Sequence, residues 1–232
     1  MTGSKSHFYK EFPKSCAPDD FWGQVKRTVG GQAIGQDQID LMVRAVCEGL
    51  DLAENDVVLD LCCGNGALTD LIFNRCQGGL GVDFSEYLIE VAWKNFQREP
   101  HRRFVLEGVS SFVHSTPEAS RFTKILCYGG IQYFTDEQAV DLLATLRSRF
   151  TNATRLFLGN IPDKDRIDAF RAPQLRPPGI ESDPGTAIGI WRTQNEMASL
   201  AAKAGWRAAF KVMPAEFYVA HFRFDAVLTG TG

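Results

Sequence analysis

Two carboxylates and two glycines carry the most legible chemistry in the chain. Asp60 closes the apolar run Val57–Asp60, and Leu61-Cys-Cys-Gly-Asn-Gly66 follows it. Glycines in such a turn let a backbone approach a ligand closely. Asp83 stands 17 residues after Gly66, at the end of Gly81-Val-Asp83. An acid there can accept hydrogen bonds from both hydroxyls of a ribose. A dinucleotide fingerprint would need a third glycine where Thr69 stands. Asp60 would also repel a pyrophosphate. It suits a cationic group instead, an ammonium or a sulfonium. The ligand outlined is a nucleoside with a positive, non-phosphate end, and S-adenosylmethionine has that form. Taken singly, the glycine turn is an ordinary structural device, and Asp60 or Asp83 is a helix cap, with Ser85 the better cap before Glu86. Taken in order, acid, glycine pair and second acid argue for the ligand.

These residues need elements to hold them. Gln36–Leu50, Ala67–Cys76, Glu86–Arg98, Asp136–Phe150 and Thr193–Ala204 have helical spacing of apolar residues. Asp56–Cys62, Gly79–Phe84, Arg103–Glu107, Phe122–Tyr128, Arg155–Gly159, Arg207–Met213 and Arg223–Thr229 read as strands. Strands alternating with helices predict a parallel sheet covered on both faces. The last two strands are too close in sequence for a crossover helix, so that pair is antiparallel. The fold class is α/β: a doubly wound, mostly parallel seven-stranded sheet with one antiparallel strand near its edge. In such a sheet a ligand lies beyond the carboxyl ends of the strands. One domain spans residues 36–232, and residues 1–35 form an N-terminal arm or lid. Residues 162–190 hold five of the ten prolines. They read as a short helix, Lys164–Phe170, followed by an irregular, lid-like excursion.

With these motifs the chain resembles the class I S-adenosylmethionine-dependent methyltransferases. Asp60-Leu-Cys-Cys-Gly-Asn-Gly66 is similar to the family's first motif, an acid followed by a spaced glycine pair. Gly81-Val-Asp-Phe-Ser85 resembles the segment with the ribose-binding acid, and Tyr128-Gly-Gly-Ile-Gln-Tyr-Phe134 the loop after strand four. Ala204-Gly-Trp206 is similar to the family's last helix ending. The resemblance covers about residues 36–232 and implies a cofactor set. Cys62, Cys63, Gly64 and Gly66 meet the methionine part, with Asp60 and Cys127 beside them. Asp83 holds the ribose and Phe84 lies against the adenine. Where many members carry an acid for the adenine amino group, this chain has Glu107-Gly-Val-Ser110. Ser110 or a backbone carbonyl has to serve there.

Methyl transfer depends on holding a nucleophile in line with the methyl. A base is needed only when the acceptor loses a proton. His221, between strands six and seven, is the candidate base, because histidine titrates near neutral pH; the plain alternative is a strand-flanking histidine. Tyr128, Gln132 and Tyr133 border the methyl, although Tyr133 and Phe134 also suit plain packing. Trp22, Lys26, Asn160 and Tyr218 are candidate acceptor contacts, and Trp22 and Lys26 would share a helix face. His7 lies in the arm, His101 precedes strand three, and His114 falls in a loop without a companion motif. No metal is expected, because Tyr128-Gly-Gly130 supplies no acid beside Asn160 and Asp163. Oxygen is the favoured atom, on a small, anionic or sugar-like acceptor. The alternatives are nitrogen or carbon methylation by proximity, a non-catalytic nucleoside-binding module, and a nicotinamide oxidoreductase.

Composition narrows the partners. The 232 residues carry a formal charge of −3, so nothing global favours a nucleic-acid backbone. No apolar run reaches the roughly 18–20 residues of a membrane helix. Met1–Lys14 is polar and lacks a signal-peptide core. The six cysteines form no Cys-x-x-Cys pair and read as reduced thiols. A cytoplasmic protein without nucleic-acid or membrane partners is expected.

Overall fold

The computed structural model describes residues 10–231. His7, and the Phe8 and Tyr9 of the arm, lie outside the described residues. Seven strands form one sheet: β1 Val57–Leu61, β2 Gly78–Asp83, β3 Arg102–Leu106, β4 Lys124–Tyr128, β5 Arg155–Pro162, β6 Trp206–Lys211 and β7 Arg223–Gly230. Their spatial order is β3-β2-β1-β4-β5-β7-β6. The first five pair in parallel, and β7 runs antiparallel to both β5 and β6. The order reverses direction beside β1, between β1 and β4, which opens a crevice at their carboxyl ends.

Six longer helices cover the sheet: α1 Gln36–Leu50, α2 Ala67–Phe73, α3 Glu86–Asn95, α4 Val109–Ser115, α5 Asp136–Arg149 and α6 Gln194–Lys203. Alternation along the strands divides the core in two. Leu59, Leu61, Ile125, Leu156 and Leu158 pack with Phe112 of α4, Leu142 and Leu146 of α5, and Met197 and Leu200 of α6. Val58, Leu126, Tyr128 and Phe157 face the other way, onto Met42, Val46 and Leu50 of α1 and Leu68 and Ile72 of α2. Each such side chain contributes about 1.5–3 kcal/mol on full burial. Thr135 and Gln138 form a capping box for α5, and Thr193 and Glu196 one for α6.

The sheet class, its seven strands and the reversed strand agree with the sequence expectation; several details do not. Val109–Ser115 is a helix, so His114 is not in a loop; its Nδ1 lies 2.8 Å from the Ser110 carbonyl. Trp22 and Lys26 do not share a helix face. The helix Phe21–Gln24 ends before Lys26, which turns through φ 58°. A two-stranded ribbon, Thr28–Val29 with Gln32–Ala33, follows. The strand expected to reach Met213 stops at Lys211. The helix expected over Lys164–Phe170 is a 3-10 turn and then one α turn, Ile167–Phe170. Strand β5 also carries a bulge. Leu158 pairs with Ala226 and Ile161 with Phe224, so Gly159 and Asn160 together oppose Asp225.

Candidate functional site

A cavity of about 1020 Å³ opens at the carboxyl ends of β1, β2, β4 and β5. Its floor is the turn after β1. Gly64 and Gly66 have φ 58° and 81°, which glycine adopts without strain. A Cβ on Gly66 would lie 2.8 Å from the Phe104 ring. Cys62 also has a positive φ, 61°, where a side chain is strained. Its Sγ and that of Cys127 both crowd the α-carbon of Gly130, in the loop after β4.

Asp83 shapes this floor. Its Oδ2 accepts the Gly64 N–H and its Oδ1 the Ser85 N–H, both at 2.9 Å. Asp83 lines the cavity, and a carboxylate has about four acceptor sites, so it has capacity for a ligand's donors as well. Burial raises its carboxyl above the ordinary value, against the backbone hydrogen bonds that lower it. Asp60 stands one layer back, outside the cavity lining, and is 3% exposed. Its Oδ2 accepts the Thr69 hydroxyl at 2.6 Å. Burial pushes Asp60 up to about 7, and Thr69 and Arg27 oppose that rise. Gly66 and Cys127 also stand behind the lining. The hydrogen bond with Cys127 and burial raise the Cys62 thiol, and burial raises Cys63. Both remain protonated and weakly nucleophilic at neutral pH.

Phe84 and Ser110 line the adjoining wall, between the ends of β2 and β3. Across the cavity are Tyr128 and Gln132 from the β4 loop and Asn160 from the β5 bulge. Asn160 has φ 62°, and its N–H donates to Asp225 Oδ1 at 2.7 Å. Burial pushes Asp225 up to about 6. The Tyr128 hydroxyl, Gln132 Oε1 and Asn160 Oδ1 are buried without hydrogen-bond partners. Burial, with Asp225 nearby, raises the Tyr128 phenol well above its ordinary value.

The β6–β7 loop brings Tyr218 and His221 to the rim, with the His221 ring 4.8 Å from Phe222. Trp22 and Lys26 reach it from the arm. Lys26 Nζ lies 3.3 Å from the Phe12 ring centre. Pro184–Ile188 close another side, and the Tyr133 hydroxyl donates to the Ala187 carbonyl at 2.8 Å. Among the described residues, no three His, Cys, Asp or Glu side chains are grouped to hold a metal ion.

Sequence reasoning did not single out three residues that matter here. Asn65, 1% exposed, donates to the Phe21 carbonyl at 2.7 Å and to Gln24 Oε1 at 2.9 Å. It pins the arm to the glycine turn, and its place between two glycines was the available signal. Arg27 lies over the Tyr128 ring, 4.6 Å from its centre. Arg223 begins β7, donates to the Asn160 carbonyl and lines the cavity. Nothing in the spacing of either arginine announces this.

Comparison with known proteins agrees with this architecture. Residues 58–151 match the family model described as methyltransferase domain. No curated protein matches the chain. Among solved structures, magnesium protoporphyrin IX methyltransferase from Synechocystis PCC 6803, with bound SAH, is similar at 15% identity and TM-score 0.66. That match covers 97% of this chain and 98% of the other. A cyclopropane synthase from Mycobacterium tuberculosis is similar at 13% identity and TM-score 0.68, over 97% and 98% of the two chains. A TehB-like methyltransferase from Corynebacterium glutamicum is similar at 15% identity and TM-score 0.56, over 86% and 90%. The model match on the β1–α5 core and the sheet order together agree with a Rossmann-like methyltransferase fold.

Proposed function

We propose that the chain transfers a methyl group from S-adenosylmethionine to an oxygen of a small molecule. The observation that carries this reading is the two-sided cavity. One half offers the glycine turn, Asp83 and Phe84; the other offers unpartnered polar groups of Tyr128, Gln132 and Asn160. A volume of about 1020 Å³ has room for a nucleoside and a second small molecule. The SAH-bound magnesium protoporphyrin IX methyltransferase of the same fold supports a nucleoside in the first half.

The lining fits the cofactor. Asp83 has lone pairs left for ribose hydroxyls, Phe84 offers a ring face for adenine, and the turn after β1 allows close approach. Bound there, S-adenosylmethionine supplies an electrophilic methyl on a positively charged sulfur. Tyr128, Gln132 and Tyr133 border the acceptor, and Trp22, Lys26, Asn160 and Tyr218 hold it. His221 takes the acceptor's hydroxyl proton on a ring nitrogen. Residues 10–35 and 162–190 cover the pair and exclude water.

Calorimetry against S-adenosylmethionine, S-adenosylhomocysteine and NAD tests the first step. The two sulfur nucleosides bind and NAD does not; failure of both sulfur nucleosides overturns the reading. His221→Ala lowers turnover by about 10²–10⁴-fold and spares S-adenosylhomocysteine affinity. Unchanged turnover removes His221 from the mechanism.

A further inference from the structure

The acceptor half of the cavity is lined by cations, with the carboxylates of Asp60 and Asp225 behind the lining and near Arg27 and Arg223. Arg27 and Arg223 line it, with Lys26 at the rim, and among the described lining residues the one carboxylate is Asp83. Asp83 belongs to the opposite half and is bonded to Gly64 and Ser85. A sulfonium-bearing amino acid adds a further net positive charge. Like charges in a partly desolvated cavity repel, so a negative group on whatever completes the site is favoured beside these cations.

A seat for that charge is present. Tyr128 is 5% exposed, and its hydroxyl is buried without a hydrogen-bond partner. The Arg27 guanidinium lies 4.6 Å from the Tyr128 ring centre, and its Nε is also buried without a partner. Arg223 is held beside them, through its donation to the Asn160 carbonyl and its stacking 5.0 Å from the Phe222 ring centre. Both arginines act electrostatically on the Tyr128 phenol. A guanidinium fork and a phenol O–H are the donors a carboxylate accepts from. Next to them, Gln132 Oε1 and Asn160 Oδ1 are buried acceptors without donors, and Gln132 is 3% exposed. Unmet acceptors at this depth call for O–H or N–H groups on the ligand.

We infer that the acceptor is a hydroxylated carboxylic acid, its carboxylate seated on Arg27 and the Tyr128 hydroxyl and its O–H groups turned to Gln132 and Asn160. This rests on the reading that the cavity holds methyl donor and acceptor together. Arg27 and Tyr128 are then specificity-determining residues for that reaction.

The test is calorimetric, on the full chain loaded with S-adenosylhomocysteine. The probes are benzoate, 4-hydroxybenzoate and 3-phenylpropionate, each against its neutral amide. The acids bind at least about 10-fold tighter than the amides, and 4-hydroxybenzoate binds tighter than benzoate. Arg27→Gln and Tyr128→Phe each remove the preference for the acid while leaving S-adenosylhomocysteine affinity within about twofold. Equal affinity of acids and amides, or no binding of either, overturns the inference. A loss of S-adenosylhomocysteine affinity in Arg27→Gln also overturns it, and gives Arg27 to the carboxylate of the cofactor. If the unmodified protein does not bind S-adenosylhomocysteine at all, the underlying reading of the cavity fails instead. Circular dichroism of each variant separates these outcomes from misfolding.

Discussion

Asp83 holds the Gly64 amide at 2.9 Å, so a side chain at the end of β2 fixes the turn at the end of β1. The acid expected to receive the ribose is also the brace of the loop expected to receive the methionine. Asp83→Asn turns an amide N–H₂ towards one of two backbone N–H groups and leaves a buried donor unsatisfied. The expected losses are about 1–3 kcal/mol of stability and, by the same amount, roughly 10–100-fold in S-adenosylhomocysteine affinity. Urea denaturation and calorimetry measure the two separately. Lost affinity with unchanged stability would mean that the brace carries no folding energy.

Burial raises Asp60 to about 7 in the folded chain, while an unfolded aspartate titrates near pH 4. Between those values the folded state keeps a proton that the unfolded state has released. The Asp60 contribution is therefore most favourable below about pH 4 and is lost as pH rises towards 7. Asp60→Asn keeps an acceptor for Thr69 and removes the titration. The difference in unfolding free energy between variant and parent should shift in the variant's favour across this window, by up to the order of 4 kcal/mol, and stay flat above it. Denaturation at a series of pH values checks this, and a difference constant from pH 4 to 8 would contradict it.

Cys62 occupies the left-handed region at φ 61°. Glycine adopts that conformation freely and alanine does not. Cys62→Gly should be more stable than Cys62→Ala by about 1–2 kcal/mol, because both lack the thiol and differ mainly in backbone strain. Thermal unfolding of the two variants side by side is the measurement.

Arg192 is 2% exposed and bonds Asp136 together with the carbonyls of Ile131 and Phe134. It clamps the turn that carries Gln132 and Tyr133 to the start of α6. Arg192→Met should cost about 2–3 kcal/mol, mostly from the carbonyls left behind, since Asp136 is largely exposed and its charge pairing is worth little. Turnover should fall with it while S-adenosylhomocysteine affinity holds. Urea denaturation and steady-state rates together test the coupling.

The sheet was legible because β1, β2 and β4 are short apolar runs and α1 and α5 have clear helical spacing. Helix α4 escaped because Val109–Ser115 is short and rich in serine and β-branched residues; Val109, Phe112 and Val113 alone carry its helical spacing. The glycine turn, Asp83 and Phe84 came together as a surface because they are local to two parallel strand ends. The place of Asp60 before the glycine turn points it to the ligand, yet it faces Thr69 of α2. Spacing gives a residue's place along a strand, and the pairing of the sheet decides which side it faces. Arg27 and Arg223 are about two hundred residues apart in the chain, and local pattern says nothing about a pair that only folding unites.

The bulge in β5 separates two tasks that one strand would otherwise share. Up to Leu158 the strand is in the core ladder; at the bulge Asn160 faces the cavity, and Ile161 returns to the core and to pairing with Phe224. The extra residue lets Asn160 turn to the cavity while the stretches on either side stay in the ladder. Deleting Gly159 would restore a regular ladder and swing the Asn160 side chain off its bearing while leaving Leu156 to Leu158 in place. For redesign of acceptor choice, a change in the length of this strand end is thus a more direct lever than exchange of any single side chain along it.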